Sequence, residues 1–340
     1  MTSMMLTEAR EAPQAVARLL AADTAVVAAL AQRWQAAPPR GLLTLARGSS
    51  DHAAQYMAYL TMARMGRPVT SLPLSLFTLH GAAMAGQGLG ALAFSQSGQS
   101  PDLLEPTRAL RQAGADTVAV VNDSTSPLAQ AAAWLLPLHA GPERSIAATK
   151  SFIAQLVVGA RLLAAWAGDV ALAQALAALP AVLDRAATQD WSTAVEALRA
   201  ASSVYVISRG AGLAVAQEAA LKFKETCGIH AEAFSSAEVQ HGPMALVSPG
   251  FPMLVLAPRG PEQPGLLALA QAMRDRGACV LLAAPDGTPD CRLPLQPASD
   301  ERLDPISAIQ SFYPMVEALA RARRRDPDLP QHLTKVTRTR

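Results

Sequence analysis

Short apolar runs recur along the chain, and each ends in turn residues before a longer stretch with helical periodicity begins. Such runs predict buried parallel strands, because they are continuously apolar and closed by Gly, Asp or Ser. They are RGLLTLARG (40–48), ALAFSQSG (91–98), TVAVVND (117–123), SVYVISRG (203–210), PMLVLAPRG (252–260) and CVLLAAPDG (279–287). Alternation of strands with helices implies a parallel sheet covered by helices on both faces.

The chain contains two related halves. LARGSSDHAAQYMAYL (45–60) aligns with ISRGAGLAVAQEAALK (207–222) at an offset of 162 residues. PDLLEPTRALRQAGA (101–115) aligns with PGLLALAQAMRDRGA (264–278) at an offset of 163. His80–Gly81 and His241–Gly242 also correspond. A repeat this long predicts a duplicated domain and not a solenoid.

The fold class is therefore α/β, with two tandem flavodoxin-like three-layer domains, each a parallel sheet flanked by helices. We expect five segments along the chain. These are a helical lead-in (1–30), a first domain (31–170), a helical linker interrupted at Pro180 (171–195), a second domain (196–325) and a C-terminal tail (326–340).

Composition narrows the class of protein. The 340 residues are 51% hydrophobic and 16% charged, and the net charge of +2 gives no reason to expect a nucleic-acid partner. The basic run RARRRDPD (321–328) is typical of a helix end. The apolar stretch 152–184 contains charged residues and predicts a buried helix pair rather than a membrane span.

The cysteines and the N-terminus indicate the compartment. Cys227, Cys279 and Cys291 are an odd number without CxxC spacing, which argues against a disulfide framework or a zinc site. Glu8 and Glu11 stand where a signal peptide would be apolar. We expect a cytoplasmic protein with no metal, no cofactor and no membrane partner.

FSQSGQS (94–100) places hydroxyl and amide side chains between a predicted strand and a predicted helix that begins at Pro101. Ligands of open α/β sheets bind beyond the carboxyl ends of strands, and a helix N-terminus favours an anion. The aligned loop of the second half, PRGPEQ (258–263), has no serine. The fold does not require hydroxyls there, so the first loop is either a helix cap or a phosphate site, and the asymmetry favours phosphate.

Several segments resemble one family. SQSGQS, the RGSS turn (47–50) and ERSIAATKSF (143–152) resemble the sugar-isomerase (SIS) fold. EAALKFKETCGIHAEAFSSAEVQHGPMALV (218–247), DPDLPQHLTKVT (326–337) and MLTEAREAP (5–13) are similar to the isomerase portion of glucosamine-6-phosphate synthase and its single-function relatives. The resemblance covers nearly the whole chain.

Glu218, Lys222 and Glu225 are spaced to share one helix face. Periodicity alone allows a surface ion pair, whereas the resemblance implies catalysis. It makes Glu225 the base that moves a proton between C1 and C2 of an open-chain sugar, His241 the ring-opening acid–base group and Lys335 the imine-forming lysine. Lys222, on the same face, is a further catalytic candidate.

The resemblance also implies the substrate contacts. Ser50, Ser95, Gln96, Ser97 and Ser100 match phosphate-binding positions, and Ile146, Glu218 and Thr334 match sugar-contacting ones. Thr334 stands where the family usually has alanine. The other histidines, His80 included, are interpreted as structural.

The family synthase has a glutaminase domain with a nucleophilic cysteine after Met, and this chain has no cysteine before Cys227. We therefore expect the reaction to run as deamination, from glucosamine 6-phosphate to fructose 6-phosphate and ammonia. Alternatives are galactosamine-6-phosphate deaminase, a fructosamine-6-phosphate deglycase, an ammonia-using synthase, or a non-catalytic sugar-phosphate sensor. Family sites of this kind lie between subunits, which implies a homodimer. The resemblance also implies that the tail 326–340 folds over the same sugar, and Leu329, Leu333 and Val336 are expected to be its main apolar anchors.

Overall fold

The computed structural model describes residues 2–335. Three helices precede the first strand: α1 (Met4–Arg10), α2 (Ala12–Ala21) and α3 (Thr24–Ala36). Ser3 begins α1, because its hydroxyl accepts a hydrogen bond from the Leu6 amide at 3.1 Å. The residues up to Pro13 pack with the C-terminal half of the chain, whereas Gln14 and the residues after it, up to Glu143, pack with the N-terminal half.

The chain divides into two compact units. The N-terminal unit comprises Gln14–Glu143, Lys150–Ala177 and the tail from Thr334. The C-terminal unit comprises Ala178–Leu333 together with the residues up to Pro13 and the short segment Arg144–Thr149. Each unit carries its own candidate site residues.

The N-terminal unit contains a five-stranded parallel sheet in the order β2-β1-β3-β4-β5. Its strands are β1 (Gly41–Leu45), β2 (Val69–Ser71), β3 (Leu89–Ser95), β4 (Asp116–Val121) and β5 (Trp134–Pro137). The three central strands are almost wholly buried, as expected for strands covered on both faces. The strands predicted at 40–48, 91–98 and 117–123 are confirmed.

Helices of this unit are α4 (Ser49–Met65), α5 (Ser75–Thr78), α6 (Pro101–Gln112), α7 (Pro127–Ala131) and α8 (Lys150–Ala167). Helix α4 packs closely on α8 because Gly159 has no side chain. A Cβ there would lie 2.9 Å from Met57 Cβ, closer than carbon atoms can approach.

Helix α8 is long and apolar enough to cross a membrane, and so are α2 and α3 taken together across a 65° bend. Core helices of globular proteins also meet such a criterion, and 83% of α8 is buried within the fold. Trp166 of α8 packs edge-to-face on Trp34 of α3, with ring centroids 5.0 Å apart. Helix α8 thus forms part of the protein core.

Helix α9 (Val170–Ala186) passes through Pro180 without a break, so the interruption expected at that residue is wrong. Proline removes one helical hydrogen bond and strains the preceding turn. Leu179, Val182 and Leu183 are buried on either side of Pro180. Their packing outweighs the local preference of proline to end the helix.

The C-terminal unit repeats the same topology. Its parallel sheet has the order β7-β6-β8-β9-β10, which is the order of the first sheet strand for strand. The strands are β6 (Ser203–Ser208), β7 (His230–Ser235), β8 (Pro252–Leu256), β9 (Cys279–Pro285) and β10 (Leu293–Leu295). The structure confirms two tandem flavodoxin-like domains, both with the 2-1-3-4-5 order of doubly wound folds.

The helices of the C-terminal unit are α10 (Ser192–Leu198), α11 (Gly212–Lys222), α12 (Gln263–Asp275) and α13 (Asp304–Ala322). Shorter turns are the π-helix Phe223–Cys227 and the 3₁₀ turns Glu238–Gln240, Pro243–Leu246 and Glu301–Leu303. The basic run 321–328 follows the end of α13, as predicted. Arg323 there donates hydrogen bonds to the carbonyl oxygens of Cys227, Leu198, Arg199 and Ala201.

The close approach of α4 and α8 leads to a stability prediction. Gly159→Ala should lower the free energy of unfolding by about 1–3 kcal/mol, because the new methyl group collides with Met57. Gly265→Ala in α12 is the matched control, since its Cβ would meet nothing within 4 Å and should not destabilise the fold. Urea denaturation measures both, and equal stability of the two variants would contradict this packing.

Candidate active site

The serine-rich loop connects β3 to α6 in the N-terminal unit. Gly98 has φ = +64°, and a Cβ there would lie 2.2 Å from Ser126 Oγ, so only glycine fits. Ser95 Oγ accepts a hydrogen bond from the Gly98 amide at 3.0 Å, and Ser97 Oγ accepts one from the Gln99 amide at 3.3 Å. The first two serines therefore shape the loop.

A hydroxyl that accepts a backbone hydrogen bond still has its own proton to donate. Ser95 is buried, while Gln96, Ser97 and Ser100 are partly exposed. Ser100 is the N-cap residue of α6 and makes no side-chain capping bond. The structure thus presents hydroxyl and amide groups at a helix N-terminus, an arrangement suited to an anion.

A second turn follows β1, the neighbour of β3 in the sheet. Its residue Ser50 lies in the first turn of α4, and Gln155 donates to Ser50 Oγ at 2.9 Å. Arg47 forms an ion pair with the buried carboxylate of Asp102 at 3.2 Å. Sequence reasoning missed Asp102, which stands at the second position of α6 and ties the two turns together.

The equivalent loop in the C-terminal unit is filled by an internal ion pair. Arg259 donates to Asp304 from Nε at 2.8 Å and from Nη2 at 2.9 Å, and to the Ala298 carbonyl at 2.5 Å. Asp304 is buried. The arginine of this loop is thus paired with a carboxylate at the start of α13, whereas the serine loop of the first unit leaves donors exposed.

Glu218, Lys222 and Glu225 meet at the end of α11. Lys222 Nζ lies 3.2 Å from Glu218 Oε1 and 2.5 Å from Glu225 Oε2. The side chains of Glu218 and Lys222 are 0% and 1% exposed, and that of Glu225 is 17% exposed. The alternative of a surface ion pair is therefore wrong, because this triad is buried.

Two opposing effects set the protonation of Lys222. Burial disfavours its charged form, but the adjacent carboxylates of Glu218 and Glu225 outweigh burial and raise the pKa of Lys222 above its ordinary value. Lys222 is therefore a permanent cation at neutral pH. It can hold Glu225 in place but cannot itself accept a proton.

Glu225 does not lie on a regular α-helix as predicted. Residues Phe223–Cys227 form a π-helical turn that continues α11. Thr226 Oγ1 donates to the Lys222 carbonyl at 2.8 Å and helps to satisfy the widened turn. Such turns occur often at functional sites. Burial raises the pKa of the neighbouring Cys227 to about 11, so its thiol is inert.

His241 is exposed and lies between two 3₁₀ turns, next to Gly242 with φ = +131°. His80, its counterpart in the other unit, is exposed as well. A cavity of about 440 Å³ in the C-terminal unit adjoins the π-helical turn. It is lined by Glu225, Thr226, Arg323–Asp326 and Leu329–Gln331.

Lys335 is the last described residue. Its ammonium lies 3.4 Å from Glu143 Oε2, and the side chains are 25% and 0% exposed respectively. Thr334 is exposed, and Ile146, assigned to the other unit, is partly buried.

Leu329 and Leu333 were expected to anchor the tail, but they are 69% and 43% exposed. That expectation is wrong for both, and Val336 lies outside the described residues.

Among residues 2–335 no group of His, Cys, Asp and Glu side chains is arranged to hold a metal ion. The candidate groups fall into two sets. The N-terminal unit carries the serine loop, Ser50 and Lys335, and the C-terminal unit carries the triad, His241 and Ile146.

The model of the SIS domain family matches residues 37–165 and 197–321. The chain belongs to the SIS family. The two SIS segments coincide with the two sheets, and the resemblance drawn from the sequence is confirmed.

The glutamine–fructose-6-phosphate aminotransferase (isomerizing) of Aeropyrum pernix is 36% identical over 97% of this SIS chain and 56% of its own length. This chain thus spans about half the length of the curated relatives it matches. A candidate phosphosugar isomerase from Silicibacter pomeroyi is 42% identical, with a TM-score of 0.91 over 96% of this chain and 100% of its own. Glucosamine-6-phosphate deaminase of Thermotoga maritima shares the fold, with a TM-score of 0.79 at 21% identity over 99% of this chain and 100% of its own.

The buried triad leads to a second stability prediction. Lys222→Met should destabilise the fold by about 3–5 kcal/mol at neutral pH, because it leaves the Glu218 carboxylate buried without its cation. Adding Glu218→Gln should restore part of the loss, since the uncompensated charge is removed. Denaturant unfolding measures both variants. A double variant no more stable than Lys222→Met would show that charge compensation is not the cause.

Proposed function

We propose that this SIS chain acts on a hexosamine 6-phosphate and releases its amine as ammonia. The observation that carries the proposal is the buried Lys222, a permanent cation that holds the Glu225 carboxylate at the edge of a cavity. An aldose–ketose conversion needs one base beside both C1 and C2, and a carboxylate can serve as that base. The names of the aminotransferase relatives contain fructose 6-phosphate and isomerisation, which supports a phosphosugar substrate.

The proposed steps use groups of this chain. The serine loop binds the phosphate, and His241 opens the sugar ring by moving a proton from O1 to O5. Glu225 removes the C2 proton and returns it to C1 while O1 takes a proton from solvent, which converts the aldehyde into a hydroxymethyl group and the C2 amine into an iminium group. Lys335 then attacks C2 as a free amine, ammonia leaves, and water releases the ketose from the lysine imine. The sum is glucosamine 6-phosphate plus water to fructose 6-phosphate plus ammonia.

A second candidate is synthesis in the opposite direction, from fructose 6-phosphate and ammonia. The 36% identity to an aminotransferase over 97% of the chain favours it. Both directions use the same imine and the same proton transfer, so the described residues serve either. Rates in the two directions distinguish the candidates.

The activity test measures ammonia release from glucosamine 6-phosphate, galactosamine 6-phosphate and a fructosamine 6-phosphate, and hexosamine formation from fructose 6-phosphate and ammonium. We expect the fastest reaction with glucosamine 6-phosphate in the direction of release. Glu225→Gln keeps the side-chain shape, removes the base and should lower kcat by about 100-fold or more, which also excludes a contaminating enzyme. Solvent deuterium should no longer enter C1 of the product. Absence of turnover in every assay would refute an enzymatic role.

The serine loop gives a separate prediction. Ser97→Ala combined with Ser100→Ala should raise KM strongly, since each lost hydrogen bond to a charged phosphate is worth about 1.5–3 kcal/mol. The matched control is Gln99→Ala, whose exposed side chain belongs to the same loop. Isothermal titration with fructose 6-phosphate measures the affinity directly. If the double variant binds as tightly as the control, the loop serves only as a helix cap.

A further inference from the structure

Glu143 is a buried carboxylate that the sequence did not indicate as functional. It follows β5 and precedes α8, and its side chain is 0% exposed. Its Oε1 accepts a hydrogen bond from the Ser151 amide at 3.1 Å, and its Oε2 accepts one from Ser151 Oγ at 2.5 Å. Two donors from one residue hold both carboxylate oxygens in a fixed orientation.

The position of Ser151 adds to this effect. It is the second residue of the 18-residue helix α8, where free backbone amides and the helix dipole favour a negative charge. A carboxylate removed from water requires such compensation. Helix α8 therefore holds the carboxyl group of Glu143 in one orientation within the N-terminal unit.

Lys335 reaches this carboxyl group from the tail, with Nζ 3.4 Å from Glu143 Oε2. The neighbouring tail residues Leu333 and Thr334 are exposed. The apolar anchoring expected for this segment is therefore absent at Leu333, whereas the lysine ammonium contacts a buried charge. The contact at Glu143 sets where the amine of Lys335 lies.

We propose that Glu143 is the positioning residue that seats Lys335 for its attack on C2 of the sugar. The inference rests on the proposed function, since it assigns Lys335 its partner in the imine step. In that step the ammonium first gives one proton to solvent, and the Nζ–C2 bond then forms. The bond from C2 to the departing ammonia breaks, and ammonia takes the second proton that Nζ loses. Glu143 touches none of the reacting atoms and acts through Lys335.

The imine can be measured without turnover. Fructose 6-phosphate condenses with a lysine amine with loss of water, and borohydride reduces the resulting C=N bond to a stable secondary amine. Mass spectrometry of tryptic peptides then locates the modified lysine and gives the rate of trapping. Wild-type protein should be trapped at Lys335. If it is not, the imine step of the proposed function fails and the role of Glu143 fails with it.

If Lys335 is trapped in wild type, the variants test Glu143 alone. Glu143→Gln should slow trapping and lower kcat by 10-fold or more while KM stays within two-fold, and Glu143→Asp should recover part of the rate. The matched control is Glu317→Gln, another buried carboxylate, which pairs with Arg321 and Ser3 and should trap normally. If Glu143→Gln is trapped at Lys335 as fast as the wild-type protein, the proposal is overturned.

A double-mutant cycle distinguishes the positioning of Lys335 by Glu143 from general damage to the fold. In a Lys335→Gln background, Glu143→Gln should lower the residual activity by less than two-fold, because the group that it positions is gone. A full 10-fold loss in that background would assign Glu143 a structural role and overturn the proposal. If Glu143→Gln does not fold, Ser151→Ala removes the 2.5 Å hydrogen bond and leaves the charge. Ser151→Ala should still slow trapping at Lys335 several-fold. An unchanged rate of trapping would overturn the proposal that Glu143 positions Lys335.

Discussion

A lysine ammonium enclosed by two carboxylates is the interaction on which the candidate chemistry of the C-terminal unit depends. Lys222 is 1% exposed and contacts Glu218 and Glu225. Burying the charges of Lys222 and Glu218 has a desolvation cost that apolar side chains of similar volume would avoid. The consequence of this arrangement for Glu225 is orientation, since Lys222 Nζ lies 2.5 Å from one oxygen of this carboxylate at the edge of a cavity.

The duplicated fold shows how one topology supports two different loops. Both sheets have the same strand order. In each sheet the loop follows the central strand, which is β3 in the N-terminal unit and β8 in the C-terminal unit. In one unit this loop carries serines and exposes donors at the N-terminus of α6, and in the other Arg259 and Asp304 neutralise one another. The parallel sheet fixes the position of the loop, while a few side chains decide whether it is open to an anion.

An ion pair contributes to holding the described end of the tail. Two of its three expected apolar anchors, Leu329 and Leu333, are exposed, and Lys335 instead lies beside a carboxylate fixed by α8. The described residues that immediately precede Lys335 have no regular secondary structure, so contacts such as this one, which joins its ammonium to a buried carboxylate, help to set the position of the side chain.

The sequence by itself determined the six strands that have continuous apolar runs, the duplication and the family, whereas strands β2, β5, β7 and β10 were not predicted. Continuous apolar runs closed by turn residues are local signals, and the 162-residue offset needs no knowledge of contacts. It also placed Glu218, Lys222 and Glu225 on one face, since helical spacing is local. Tertiary structure alone decided that this face is buried, because burial depends on which elements cover a helix. It decided too that α9 continues through Pro180, where packing outweighs propensity, and that Glu143 meets Lys335 across 192 residues. Contacts between residues so far apart in the chain arise only when the sheet and α8 bring them together, so no local pattern could have indicated them.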